Sequence, residues 1–214
     1  MKSDKKKKEK FLFQKLNLLK TKVISMHYTK FSEDEIKKIL ILPFMQITGY
    51  EISDKNIFKI NKKTNENSAD YIIQKESKPI IFVKYVKIDD SIFDFKNNVY
   101  FGCKQFSDIA SNLLQESKEG CVVLTNGLIY LFFNSKDLDS EIEYRDQCFF
   151  FFNLLNIEEV ETEIELLNSF FTKESVFNYL EVKKNKKRKI ILTISILIAV
   201  LVIIFFVLTI LSII

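Results

Sequence analysis

The sequence predicts an α/β protein in which helices flank a mixed β-sheet, with one further transmembrane helix at the C-terminal end. Short apolar runs rich in branched and aromatic side chains, bounded by turn residues, occur at 67–87 and 120–133 and are typical of strands. Amphipathic stretches precede, separate and follow these runs, which favours a sheet with helices on its faces. The last 25 residues, 190–214, contain no charged residue, no Pro and no Gly.

Residues 190–214 predict a membrane-spanning helix. As a helix they would be about 37 Å long, against roughly 30 Å of bilayer hydrocarbon. Residues 183–189 place six positive charges beside this run. Such charges favour the cytoplasmic side and attract anionic lipid head groups. We therefore expect a tail-anchored protein in the membrane, with the bilayer as one partner and the preceding residues in the cytoplasm.

The charge of the chain is unevenly distributed. The total is +4, residues 1–10 carry +4 and residues 183–189 carry +6, which leaves −6 for residues 11–182. Domains that grip a phosphate backbone usually present a basic face. The net negative charge of residues 11–182 therefore does not favour DNA as a partner. We expect a protein partner, whose identity the sequence does not give.

Cysteine and histidine usage predicts neither a disulfide framework nor a zinc site. The chain has one histidine, His27, and no Cys-x-x-Cys motif. Its three cysteines are far apart in the sequence: Cys103, Cys121 and Cys148. An odd number of separated thiols fits a reducing compartment.

The N-terminal segment, residues 1–30, is basic and predicts an amphipathic helix, with leucines at positions 12, 16 and 19. Such a segment lies on a membrane surface, packs on the domain that follows, or remains a frayed, solvated tail. That domain is expected to cover residues 31–180, followed by a basic linker at 181–189.

A second helix is predicted from about Glu33 to Thr48. Ser32 and Glu35 form a capping-box pattern at its start, and Gly49 is expected to end it. Pro43 removes one backbone hydrogen bond and should kink the helix.

The run 67–87 predicts a β-hairpin with a loop of four to five residues at Lys75-Glu76-Ser77-Lys78. An edge strand is expected before it, within residues 50–60. The remaining elements are predicted as follows: a helix over 92–117 broken at Gly102, strands over 120–124 and 128–133 joined by an Asn126-Gly127 turn, a strand over 148–154, and a helix over 158–171.

An ordered set of short motifs resembles one known family. The motifs are Ile41-Leu42-Pro43-Phe44 with Gly49-Tyr50, Ala69-Asp70-Tyr71-Ile72-Ile73, Lys78-Pro79-Ile80-Ile81, Leu124-Thr125-Asn126-Gly127, the strand at 149–153 and Leu166-Leu167-Asn168-Ser169-Phe170. In order and spacing they resemble the N-terminal nuclease-like domain of type I restriction enzyme restriction subunits. The resemblance implies a restriction-endonuclease-like PD-(D/E)xK fold over residues 31–180.

The resemblance also implies a chemistry, which is Mg²⁺-assisted hydrolysis of a phosphodiester. In that family one carboxylate from each of two strands holds the metal, and a Lys two residues after the second carboxylate orients the water. The family often adds a Glu from the first helix and a Gln from the helix after the strands. The matching positions here are Glu33 for the helix Glu, Asp70 for the first strand carboxylate and Gln105 for the helix Gln. Where Glu-x-Lys is expected, the chain has Lys84 and Val86.

Two interpretations of this departure remain open. In the first the metal site is lost, and Lys84 pairs with Asp70 or Glu33 in place of Mg²⁺. In the second Glu33, Asp70, Lys84 and Gln105 form a rearranged active site in which Glu33 and Asp70 hold Mg²⁺. The string Glu76-Ser77-Lys78 lies in the turn and is expected to be solvated.

The sequence therefore predicts a membrane-anchored, catalytically inactive nuclease-fold domain that acts as a binding or structural module and needs no cofactor. The alternative is a membrane-tethered, Mg²⁺-dependent DNA endonuclease of a restriction or defence type.

Overall fold

The computed structural model describes residues 2–26, 30–61, 68–88, 93–94, 99–100, 104–115, 120–134, 148–157, 161–179, 181–182 and 185. Residues 1–173 form one compact unit and residues 174–214 another. In the second unit residues 174–179 are helical. Within the described ranges no helix has the length and apolar character needed to cross a membrane, and the predicted membrane helix at 190–214 lies outside them.

The first unit contains helices and strands in mixed order. The helices are α1 (Lys2–Ser25), α2 (an α segment Glu33–Ile36, a π segment Lys37–Ile41 and an α segment Leu42–Ile47), α3 (Lys104–Leu114) and α4 (Glu161–Phe170). The strands are β1 (Phe58–Ile60), β2 (Tyr71–Lys75), β3 (Lys78–Tyr85), β4 (Phe93–Asp94), β5 (Val99–Tyr100), β6 (Cys121–Thr125), β7 (Ile129–Asn134) and β8 (Cys148–Asn153).

Six strands form one mixed sheet in the order β1-β2-β3-β6-β7-β8. Strands β3 and β6 are parallel at its centre, and every other neighbouring pair is antiparallel. A parallel pair requires a crossover, and α3 lies within it. The predicted α/β class with a mixed sheet and helices is confirmed.

One face of this sheet carries a row of aromatic side chains, and we call it the aromatic face. The strand register places Tyr71, Tyr85, Tyr130 and Phe132 on it. Phe44 of α2 stacks on Tyr130 with ring centroids 3.9 Å apart. Because side chains alternate along a strand, Lys84 belongs to the opposite face from Tyr85.

Helix α1 lies within the predicted N-terminal segment 1–30, and its apolar side belongs to the core. Leu12, Leu16, Leu19 and Val23 are all buried, and α1 contacts α2 and α4. Of the three alternatives for this segment, packing on the domain is the one that uses the leucine stripe at 12, 16 and 19.

The turn between β2 and β3 is tighter than predicted. Lys75 pairs with Lys78, so the loop has only two residues, Glu76 and Ser77. Their φ angles are 52° and 64°, which is the left-handed combination that a two-residue hairpin requires. The expectation that Glu76, Ser77 and Lys78 are solvated is confirmed, since all three are exposed.

Two further predictions are wrong. Residues 93–94 and 99–100, expected to be helical, form the short antiparallel strands β4 and β5, and the helix described within 92–117 is α3, Lys104–Leu114. Residues 50–52 contain no strand, because Tyr50 is recruited into the core, where its hydroxyl donates to the carbonyl oxygen of Phe171 at 2.7 Å. The edge strand is limited to β1.

Candidate functional site

The start of helix α2 fixes the position of Glu33. The Ser32 hydroxyl oxygen accepts a hydrogen bond from the backbone N–H of Glu35, and the Glu35 carboxylate accepts one from the Ser32 N–H at 2.8 Å. These reciprocal bonds satisfy free N–H groups of the first turn. The predicted capping box is confirmed, and it sets Glu33 as the first helical residue.

A π turn fixes the position of Lys37. The N–H of Leu42 donates to the carbonyl oxygen of Lys37, five residues back. The widened turn comes just before Pro43, which has no N–H to give to the preceding turn. With this extra residue the buried side of the helix runs through Leu40, Ile41, Phe44 and Met45.

Gly127 brings helix α2 close to the end of the sheet. Its φ is +89°, and a Cβ at this position would lie 2.7 Å from Cγ2 of Ile36 and 2.9 Å from Cδ1 of Leu40. The predicted Asn-Gly turn therefore joins β6 to β7 and also allows the helix to approach. Its Asn126 caps the loop by accepting from the N–H groups of Leu128 and Ile129.

Asp70 lies immediately before β2 and is held from two sides. Its backbone N–H donates to the carbonyl oxygen of Val83 at 2.9 Å. Its carboxylate Oδ2 accepts from the backbone N–H of Tyr85 at 2.6 Å. The side chain thus replaces a backbone acceptor at the end of β3, which leaves Oδ1 directed to another partner.

That partner is the ammonium group of Lys37. Lys37 Nζ is 2.5 Å from Oδ1 of Asp70 and 2.5 Å from Oε1 of Glu33. We call these three residues the charged cluster. The Lys37 and Asp70 side chains are 16% and 22% exposed, whereas Glu33 is 53% exposed. One cation therefore joins the helix carboxylate to the strand carboxylate, and the inner pair is largely shielded from water.

The electrostatics keep Lys37 charged. Burial alone would lower the pKa of Lys37, but the hydrogen bonds to Asp70 and Glu33 outweigh it and raise the pKa above its ordinary value. Lys37 Nζ also lies 5.8 Å from the centroid of the Tyr85 ring. The charged cluster therefore lies on the aromatic face of the sheet, over the end of β3.

Tyr71 borders the cluster. Burial raises its pKa to about 12, and the negative charge of Asp70 acts in the same direction while Lys37 opposes it. A phenol with this pKa is protonated at neutral pH and remains a neutral neighbour of the ion pair.

Lys84 does not make the ion pair expected of it. It lies on the opposite face of β3 from Tyr85, and its Nζ donates to the carbonyl oxygen of Ser68 at 2.9 Å. The prediction that Lys84 pairs with Asp70 or Glu33 is wrong, because Lys37 takes that role from the helix. The sequence held a signal for Lys37, since Glu33 and Lys37 are four residues apart on one helix face.

The other predicted positions are only partly described. Val86 is 8% exposed, as expected of an aliphatic side chain after the strand. Gln105 lies in the first turn of α3, but its side chain is outside the described residues, as are His27 and the segment 135–147. Among the side chains that the structure does describe, no group of three or more His, Cys, Asp or Glu residues could hold a metal ion.

The donor set of the charged cluster does not fit Mg²⁺. Mg²⁺ requires near-octahedral oxygen ligands at about 2.0–2.1 Å. Asp70 directs one oxygen to Tyr85 N–H and the other to an ammonium group, and that ammonium group also holds Glu33. A second positive charge at this point would be repelled by Lys37.

Comparisons with protein-family models, with curated proteins and with solved structures find no match for this chain.

Proposed function

We propose that this chain anchors a catalytically inactive, nuclease-fold domain to the cytoplasmic face of a membrane, where it acts as a binding or structural module. The observation that carries this proposal is the ammonium group of Lys37 between Glu33 and Asp70. In the resembled family carboxylates from two strands hold a divalent cation, and a Glu from the first helix is often added to the site, so the cation would lie close to the positions that match Asp70 and Glu33. Here a side chain of the protein supplies the positive charge.

The order of the elements supports the nuclease-like fold. Glu33 lies on the helix before the sheet, Asp70 at the start of a strand, Lys84 on the next strand and Gln105 on the helix that follows. This is the order in which the resembled family carries its site residues. The proposed loss of catalysis depends on the proposed fold, because it rests on the same four positions.

Membrane attachment rests on the sequence. The uncharged run 190–214 is long enough to cross a bilayer, and the six positive charges at 183–189 favour the cytoplasm for the residues before it.

A Mg²⁺-dependent, membrane-tethered DNA endonuclease is the second candidate. The observation that favours it is the convergence of Glu33 and Asp70 on a single cation. Two carboxylates held this close would make part of a metal site if Lys37 moved away.

A cleavage assay separates the two candidates. The full chain in detergent is incubated with supercoiled plasmid and Mg²⁺ or Mn²⁺, beside an Asp70→Asn variant purified in the same way. We expect no cleavage beyond that of the variant, even at high protein excess. Cleavage by the wild type that Asp70→Asn abolishes would establish the endonuclease and refute the inactive module.

Alkaline carbonate extraction tests the membrane attachment separately. We expect the full chain to stay in the membrane pellet and a chain ending at residue 189 to be released. Release of the full chain would refute the attachment, whatever the cleavage assay gives.

A further inference from the structure

Helix α1 presents a second apolar and basic stripe that the core does not use. Phe11 and Leu18 are 58% and 65% exposed although the same helix buries four other apolar side chains. They are seven residues apart, so they lie two turns apart on the same side of the helix. At about 100° per residue, this side is roughly a third of a turn away from the buried stripe that contains Leu12 and Leu16.

Lysines share this exposed side. Lys7, Lys15 and Lys22 fall within about 40° of Phe11 on the helix and are all exposed, and the exposed Asp4 is the one acidic residue on the same side. Lys15 Nζ lies 5.3 Å from the centroid of the Phe11 ring. In all, α1 carries nine lysines against only Asp4 and Glu9. The outer side of the helix is thus positively charged, with two protruding apolar groups.

We propose that this stripe, defined by Lys7, Phe11, Lys15, Leu18 and Lys22, docks on an anionic lipid surface. On such a surface Phe11 and Leu18 would insert at the acyl boundary while the lysines reach the head groups. Each lysine near an anionic surface contributes about 1 kcal/mol, or about five-fold in the docking equilibrium.

A lipid surface fits this stripe better than an acidic protein. Protein interfaces concentrate their binding energy in packed clusters of anchors. Phe11 and Leu18 are instead separated by about 10 Å along the helix axis, with charged and polar side chains between them. Separate apolar groups among lysines insert individually between lipid head groups.

The inference goes beyond the proposed function but draws on its membrane attachment. A single weak interfacial contact gives marginal binding on its own. A chain already held at the bilayer presents α1 at high effective concentration, so a weak second contact suffices.

Single tryptophans report the contact, because the chain has none of its own. Phe11→Trp and Leu18→Trp are made in the full chain, which is reconstituted in phosphatidylcholine vesicles with and without phosphatidylserine. Ile24→Trp is the matched control: Ile24 is 53% exposed on the same helix but lies about 140° around the axis from Phe11.

We expect the emission of Trp at 11 and 18 to shift to shorter wavelength only in the vesicles with phosphatidylserine, and to return in high salt. Trp at 24 should not respond. Replacing Lys7, Lys15 and Lys22 by Gln should lower the docked-to-undocked ratio on the order of a hundred-fold. The same change at the exposed Lys59, Lys78 and Lys87, with equal loss of charge, should leave it unchanged.

Two results of the tryptophan measurement overturn docking. Absence of a shift at 11 and 18 refutes it, and so does an equal shift at 24. Flotation of the same samples in high salt reports the membrane anchor independently. Floating vesicles that carry protein without a tryptophan shift would refute docking alone. A shift without salt-resistant flotation would refute the anchor alone.

Discussion

Replacing Lys37 by Gln removes the cation from the charged cluster and leaves its carboxylates in place. Glu33 and Asp70 would then face each other without the ammonium group that now lies 2.5 Å from each. We expect two consequences. The domain should lose stability, and its affinity for divalent cations should rise above that of the wild type.

The magnitude follows from the burial of the pair. Exposed ion pairs contribute about 0–1 kcal/mol, and breaking a fully buried pair costs about 3–5 kcal/mol. Lys37 and Asp70 are 16% and 22% exposed, so we expect a loss of about 2 kcal/mol. For a domain of this size that is roughly 4–8 °C in Tm. Mg²⁺ or Mn²⁺ at ten times its Kd would restore about 1.4 kcal/mol.

Thermal melting in EDTA and in Mg²⁺ or Mn²⁺ measures both effects. Lys38→Gln is the matched control, because Lys38 is the next residue on the same helix, is exposed, and has the same charge. It should change Tm by less than a quarter as much and show no metal response. If Lys37→Gln melts like Lys38→Gln under all conditions, the ion pair contributes nothing and the reasoning from burial is refuted.

Three further predictions concern the frame around the cluster. Glu76→Asn together with Ser77→Gly should stabilise the hairpin by about 1 kcal/mol, because both positions have positive φ; an unchanged or lower denaturation midpoint would contradict the turn geometry. Gly127→Ala should destabilise by about 2–4 kcal/mol, from its φ of +89° and the clash with helix α2, and an unfolding free energy like the wild type's would show that the helix does not approach. Tyr71 should ionise near pH 12 in an absorbance titration. Because the pKa of Tyr71 is raised in the folded state, its contribution to stability is full below about pH 10 and falls between pH 10 and 12. Tyr71→Phe should therefore reduce the loss of unfolding free energy over this pH range. An unchanged pH profile of the unfolding free energy would refute this.

The sequence predicted best where local chemistry decides the structure. The capping box at Ser32 and Glu35 depends on residues three positions apart, and the Asn126-Gly127 turn depends on the conformational freedom of Gly. Both are found. The strands of the mixed sheet are apolar runs bounded by turn residues, and their parallel centre needs only a helical crossover.

The sequence was a poor guide where distant packing decides. The loop at Glu76-Ser77 lacks the Gly or Asn that usually marks a two-residue turn, and pairing of the flanking strands imposes the left-handed conformation. The local pattern around β4 and β5 predicts a helix, but the tertiary context overrides this preference and two short strands form instead.

The charged cluster shows the same limit. Asp70 and Glu33 were identified from a resemblance, and the structure brings them together. The resemblance points to Lys84 as the cation because that residue occupies the position of the family's second strand carboxylate. Alternation along β3 sends Lys84 to the opposite face, and Lys37, at the start of the π segment, reaches Asp70 across 33 residues of sequence.

Divalent-cation binding by the wild-type chain tests the central claim most directly. If Lys37 fills the cation position, Mg²⁺ and Mn²⁺ should leave Tm unchanged relative to EDTA, and calorimetric titration should show no heat attributable to Asp70. Stabilisation of the wild type by either metal, abolished in Asp70→Asn, would contradict the claim and show that the charged cluster binds a metal ion.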